Sequence, residues 1–261
     1  MARYQVILAY DGTDFAGSQR QARARTVQGE LERALRHLGW AGRAVMMAGR
    51  TDSGVHATGQ VAAFDLEWRH SPEDLLRALN ANLPPDLAVW QVKMTSSEFH
   101  PRFDAIARRY RYRLFCREVR DPLRERFAWR VWPPVDGERL RALAPLWEGQ
   151  HDFAAFGSPT RPQGSTVRTV HHASWECHED EWWFEIQADA FLYHMVRRMV
   201  AAQVAVAQGR LPAESIARAL ADPARVRERS EKGLGGGLAP ACGLTLVEVV
   251  YPPSVGQASD R

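Results

Sequence analysis

Two helix starts bracket a pair of apolar runs, and that order narrows the possible folds more than any other feature of the chain. Thr26 stands as a cap before a face of Val27, Leu31, Ala34, Leu35 and Leu38. Ser71-Pro72-Glu73-Asp74 supplies a second cap, a proline at the first helical position and acids in the first turn. Between the two helices, Val45–Ala48 and Gln60–Phe64 read as strands. Arg3–Tyr10 precedes the first helix, with Tyr4, Val6, Leu8 and Tyr10 on one side, and Leu87–Val92 follows the second. Strand-helix-strand-strand-helix-strand predicts a ferredoxin-like, split βαβ half.

A looser version of the same plan follows. Arg108–Phe115 and Phe127–Val131 read as strands and Asp136–Trp147 as a helix. Thr166–Cys177 and Glu181–Asp189 form a hairpin about His178-Glu179-Asp180. A long helix is expected from Phe191 to Gln208, capped by Asp189, then a short one over Pro212–Ala221 and a closing strand over Gly243–Tyr251. The fold class is α/β in the broad sense, α+β in strict usage: two ferredoxin-like halves with antiparallel sheets flanked by helices. The expected division is 1–104, 105–252 and a disordered tail at 253–261.

Composition restricts the function classes. A hydrophobic content of 45% with 25% charged residues is that of a globular chain, and no apolar run is long enough to span a bilayer. Met1-Ala2-Arg3 passes straight into a strand, so no signal peptide and a cytoplasmic location are expected. Cys116, Cys177 and Cys242 are scattered and odd in number, which fits a reducing compartment and no disulfide framework. The net charge of +3 is mild, but of 34 basic side chains only Lys93 and Lys232 are lysines. Arginine grips phosphate and stacks on bases, as RNA binding requires; a GC-rich genome or a hot habitat gives the same bias.

Chemistry concentrates in Ala48-Gly49-Arg50-Thr51-Asp52-Ser53-Gly54-Val55-His56, with Gly59-Gln60-Val61 behind it. Gly49, Gly54 and Gly59 allow a tight path and a close approach by another backbone. Such a loop can hold the Asp52 carboxylate where a ligand enters, and Arg50 adds a guanidinium for a phosphate or for that carboxylate. An ordinary Asp-Ser-Gly turn joining two strands reads equally well from these residues.

The string G-R-T-D-S-G-V-H-A-T-G-Q-V resembles the catalytic-aspartate motif of the tRNA pseudouridine synthase A family. By that resemblance Asp52 is the catalytic carboxylate in a cleft between the halves. Arg108-Arg109-Tyr110-Arg111-Tyr112-Arg113-Leu114 places tyrosines on one strand face and arginines on the other. Alone it fits a tyrosine core face with a basic face toward water or a nucleic-acid backbone. It is similar to the family's R-R-Y-R-Y segment, which implies Tyr110 over the target base. His194-Met195-Val196-Arg197 resembles the family's H-M-V-R helix, which implies that Arg197 pairs with Asp52; on spacing alone Arg197 is equally a surface arginine. Tyr193 stands where many relatives carry a second histidine, and His194 is given no chemistry.

Pro240-Ala241-Cys242-Gly243-Leu244 resembles the P-A-x-G-L loop bordering the site, which brings in Leu244. Cys242 replaces a frequent acid there. Gln19-Arg20-Gln21 resembles the family's G-W-Q-R-Q pattern, which implies Gln19 and Arg20 as substrate contacts, with Ser18 in place of the aromatic. The resemblance implies isomerisation of uridine to pseudouridine on the 3′ side of the tRNA anticodon stem-loop (positions 38–40) by a homodimer, with no cofactor.

Two other classes fit parts of the chain. Asp11-Gly12-Thr13-Asp14 after a strand could be a magnesium-dependent phosphotransferase site, though without D-x-D spacing. Two basic ferredoxin-like halves would also serve a non-catalytic RNA-binding module. The glycine run at 233–237 has no strand before it, no helix after it and no G-K-[ST], so a phosphate loop is not expected. His171, His172, Cys177 and His178 fit no zinc spacing, so no metal is expected.

Overall fold

The computed structural model describes residues 1–161, 163–224, 226, 234 and 237–253. The chain divides into two compact units, Met1–Arg108 with Thr245–Arg261, and Arg109–Leu244. This differs from a division at 104/105, because the crossing falls inside a strand and the last strand counts with the first unit. The expected tail lies, beyond residue 253, outside the described residues, as do Gly233, Gly235 and Gly236 of the glycine run.

In the first unit, β1 (Ala2–Tyr10), α1 (Val27–His37), β2 (Met46–Met47), β3 (His56–Leu66), α2 (Pro72–Asn82) and β4 (Leu87–Thr95) follow the expected order. β1 runs antiparallel to both β3 and β4, and β2 antiparallel to β3. The spatial order β4-β1-β3-β2 is the split βαβ arrangement. The Thr26 hydroxyl accepts from Gly29 N (3.2 Å) and starts α1, whose Val27, Leu31, Ala34 and Leu35 are buried. Ser71 and Asp74 cap α2 reciprocally, and Leu75 and Leu79 anchor it.

The outer edge of β3 is shared by two strands. β10 (Leu244–Val250) lies parallel beside its start, with Thr245 opposite His56 and Leu246 opposite Ala57, while β2 meets Ala62 and Ala63. Gly59 is obligatory at this edge, since a Cβ there would lie 2.0 Å from Val247 O. Parallel pairing across so much chain leaves no local mark in a sequence.

Arg25 secures the loop after β1. Its two Nη groups donate to both oxygens of Asp86 (2.7 and 2.8 Å), and the guanidinium lies 4.2 Å over the Phe15 ring. The hydrogen bonds from Arg25, helped by its charge, hold the Asp86 carboxyl below the usual carboxylate range. A depressed carboxylate stabilises the fold above its unfolded-state value, about 3.9, and that contribution disappears as pH falls through the lower folded value. Arg25→Met is therefore expected to lower the melting temperature most near neutral pH, with the deficit shrinking in strong acid. A deficit independent of pH would assign the effect to the Phe15 contact alone.

The second unit contains most of β5 (Ala107–Cys116), then β6 (Trp129–Val131), α3 (Gly137–Leu143), β7 (Gly149–Asp152), β8 (Val167–His178), β9 (Glu181–Ala188), α4 (Met195–Ala207) and α5 (Ser215–Ala221). Its strands lie in the order β5-β9-β8-β7, with β6 parallel to β5 and antiparallel pairing at β7/β8 and β8/β9. Trp147, Phe153, Phe156 and Phe184 are fully buried, and the buried Trp175 indole donates to Gln203 Oε1 of α4 (2.8 Å). Apart from Arg197 and Arg198, α4 is buried along its whole length.

Four expectations are corrected here. The helix expected over Asp136–Trp147 is α-helical only to Leu143 and continues as a 3₁₀ turn, Ala144–Trp147, where Pro145 lacks the N–H an α-helix needs. α4 begins at Met195, not Phe191: Tyr193 is held in a bridge to Ser158, and His194 takes a left-handed φ of 65°. Asp189 therefore caps no helix and accepts instead from Ala190 N (2.5 Å). α5 starts at Ser215, and the polar β7 has no alternation that would have marked it.

Candidate active site

The Asp52 loop is fixed by its neighbours. Val55 N donates to Asp52 O (3.2 Å), and Gly54, at φ 78°, supplies the positive φ that this turn requires. Thr51, one residue before Asp52, is clamped on three atoms. Its N–H donates to Ser18 Oγ (2.8 Å), its carbonyl accepts from Ser18 N (3.1 Å), and its hydroxyl bonds the Tyr10 hydroxyl (2.8 Å). Gln60 Nε2 donates to Gly49 O (3.1 Å) and to Tyr10 OH (3.4 Å), tying the start of the loop to β3 and β3 to β1. Burial pushes the Tyr10 phenol up to about 12, so it stays protonated in this network. Gly17, at φ 97°, lets the preceding loop approach: a Cβ there would lie 2.8 Å from Thr51 O. Gly49 has no such neighbour, so close backbone approach is needed at Gly59 and not there.

On this frame Asp52 is half-buried and Arg50 exposed. Gln19, next in sequence to the Ser18 that clamps Thr51, is exposed, whereas Arg20 has a structural duty. Its Nη1 reaches Glu32 Oε2 (2.5 Å), a carboxylate fully buried on α1 that also accepts from Gln28 Nε2 (2.9 Å) and Val45 N (3.1 Å). A buried carboxylate without such partners would be costly. Asp11 Oδ1 accepts from Thr13 N (3.0 Å) and Thr13 Oγ1 (2.6 Å), closing a local turn within Asp11-Gly12-Thr13-Asp14.

Ser18, Tyr10 and Gln60 escaped the sequence reading as site residues. Ser18 stood out only as a departure from a pattern, and its meeting with Thr51 depends on how the loop after β1 folds back. Ser18→Ala is expected to orphan the buried Thr51 N–H at a cost of about 1–3 kcal/mol. The urea midpoint should fall with an unchanged slope; an unmoved midpoint would show that water replaces the hydroxyl.

The second unit gathers the other candidates. Tyr110, Tyr112 and Leu114 share the buried face of β5, as the alternation predicts. Tyr110 meets Phe191 edge-on, with ring centroids 5.0 Å apart at 85°. The Tyr112 hydroxyl donates to Pro240 O (2.9 Å), and burial holds that phenol far above its usual range. The arginine face is no open cationic strip. Arg113 bonds Glu181 twice (2.8 and 3.0 Å), Arg111 bonds Glu185, and Arg111 lies 4.2 Å over the Trp183 ring.

Arg197 Nε donates to Ala239 O (2.7 Å) and Ala239 N returns a bond to Arg197 O (3.3 Å), so the first turn of α4 grips the segment entering β10. Leu244 is buried at the end of that segment. Gly243 packs flat on Tyr112, where a Cβ would lie 2.6 Å from the ring. Burial pushes the Cys242 thiol up, with Arg197 partly opposing the shift, so a neutral thiol stands at the place of the family's acid. His194 stacks on the exposed Tyr193 ring (3.6 Å) and caps nothing with its side chain.

Comparison with known proteins identifies a family. A family model described as tRNA pseudouridine synthase covers residues 6–104 and 143–252. A tRNA pseudouridine synthase A from Chloroflexus aurantiacus is 43% identical over 262 residues, spanning 98% of this chain and 91% of its own length. The protein of the same name from Methylococcus capsulatus is 41% identical, spanning 97% and 91%. That from Limosilactobacillus fermentum is 39% identical, and both chains are covered in full (100%). The phosphotransferase and binding-module readings find no support in these matches. With a family model matched over 6–104 and 143–252 and relatives of nearly equal length at 39–43% identity, the chain belongs to the tRNA pseudouridine synthase family and is an isomerase.

Proposed function

We propose that Asp52 is the essential carboxylate of this synthase and that its target is uridine on the 3′ side of the tRNA anticodon stem-loop. The supporting observation is the clamped Thr51: a half-buried carboxylate follows a residue whose N–H, carbonyl and hydroxyl are all fixed. Such preorganisation is what a single catalytic group needs. In the reaction the N1–C1′ bond breaks, uracil rotates, C5 bonds to C1′, and the proton from C5 leaves while N1 gains one. Atoms and electrons balance within the nucleotide. Asp52 can serve by attack or by removing a ribose proton. A base inside a stem must leave the stack first.

Tyr110 is the proposed platform for that base, Arg197 the partner of Asp52, and Arg50, Gln19, Arg20 and Leu244 the surrounding contacts. Arg20 can do so only with what its bond to Glu32 leaves free. If Tyr110 stacks alone, Tyr110→Phe keeps most of the rate and Tyr110→Ala loses it. If its hydroxyl moves a proton, Tyr110→Phe binds tRNA normally but turns over slowly. Wild-type rates in Tyr110→Ala would remove it from the site.

The resemblance also supports a homodimer, which sedimentation of the pure protein would test, and a tRNA substrate supports a cytoplasmic location. Among the described residues no helix is long and apolar enough to cross a membrane. Mapping pseudouridine in an unmodified tRNA transcript, incubated with the pure protein and no added cofactor, tests the whole assignment. Product outside the anticodon stem-loop would overturn its positional part.

A further inference from the structure

Trp132, 49% exposed, forms one wall of a cavity of about 350 Å³ in the second unit. Trp129, Arg130, Pro133, Gln208 and Arg210 complete most of the lining. The frame is well held. Trp129 pairs with Leu114 of β5, Gln208 Nε2 donates to Pro133 O, and Asp136 N donates to Ala207 O (3.1 Å).

The two arginines differ. Arg130 is committed: its Nε donates to Glu125 Oε1 (3.1 Å), and its Nη1 to Arg117 O (3.2 Å) and Glu118 O (3.1 Å). Arg210 is exposed, gives its Nε–H to Gln208 Oε1 (2.9 Å), and enters no ion pair among the described residues. The last carbonyls of α4 would repel an anion if unpaired. They are taken: Val204 O by Gln208 N, Ala205 O by Arg210 N and Leu211 N, Val206 O by Gly209 N, and Ala207 O by Asp136 N.

We propose that this cavity receives one unpaired nucleotide of the tRNA, its base against the Trp132 indole and its phosphate on Arg210. The inference rests on the tRNA reading above and adds a second contact apart from the reacting base. An indole face accepts any base, and a guanidinium with free Nη groups suits a phosphate. The volume falls at the lower end of ligand cavities, enough for a nucleotide and small for a folded partner's side-chain cluster. Leu114, opposite Trp129, lies four residues beyond Tyr110 on β5, about 13 Å of strand. One stem-loop can therefore span both.

Affinity for a tRNA transcript should be measured over a range of salt for wild type, Trp132→Ala, Trp132→Phe and Arg210→Gln. Trp132→Ala is expected to weaken binding about ten-fold, with Trp132→Phe close to wild type. Arg210→Gln should reduce the slope of log affinity against log salt by about 0.7, one single-strand phosphate. Single-turnover rates at saturating enzyme should match wild type in all three. Both residues reach solvent, so circular dichroism should show intact folds. Affinity within two-fold of wild type in Trp132→Ala, or an unchanged salt slope in Arg210→Gln, would overturn the proposal. Turnover of the same transcript by wild type tests the parent reading separately.

Discussion

Asp52→Asn is expected to abolish pseudouridine formation while tRNA affinity stays within a few-fold. The substitution keeps the side chain's size and removes its charge and nucleophilicity. Asparagine is at home in turns, and the bond that closes this one uses the backbone carbonyl, Val55 N to Asp52 O (3.2 Å), which the change does not touch. The anchors on Thr51 come from Ser18 and Tyr10, so the loop should hold its course. Binding to RNA is carried mainly by cations at the phosphate backbone, which Asp52 does not supply. Single-turnover assays on purified variant, paired with anisotropy binding, separate the two quantities. Activity above about a thousandth of wild type would mean that another group carries the chemistry.

The first unit was legible because its signals are local. The Thr26 cap, the Ser71–Asp74 box and the apolar spacing of Leu31 with Leu35 each act within a few residues, and each is present in the structure. Errors in the second unit share a cause: contacts from elsewhere in the chain decide them. Leu192 reads as helix by spacing, yet the bridge between Ser158 and Tyr193 delays α4. β10 reads as the end of the second half, yet Thr245 and Leu246 lie against β3.

The site divides in the same way. Asp52 and Tyr110 are candidates because two strings resemble a family's motifs; the alternation of β5 by itself marks Tyr110 only as a residue of the buried face. The residues that hold the Asp52 loop leave no such mark, because Ser18, Tyr10 and Gln60 meet Thr51 and Gly49 only after folding. The basic strand shows the limit of pattern reading most clearly. Its arginines alternate as a nucleic-acid face would, but Glu181 and Glu185 on β9 neutralise two of them.

Arg197 has a structural duty beside the catalytic one proposed for it, and Arg197→Met is expected to lower the single-turnover rate roughly a hundred-fold, the scale of one electrostatic contact in an active site. Its Nε–H tethers Ala239, so the segment leading to Leu244 depends on it whatever its chemistry. Three variants resolve the roles. Arg197→Lys keeps a charge and a donor, Arg197→Gln keeps a donor alone, and Arg197→Met keeps neither. If the cation serves Asp52, the lysine variant retains far more activity than glutamine, and glutamine falls with methionine. If the tether is all that matters, lysine and glutamine stay together above methionine. A phosphate contact behaves differently again: tRNA affinity and its salt dependence drop, while the rate at saturating enzyme is unchanged. Glutamine equal to lysine in rate would end the case for an ion pair with Asp52.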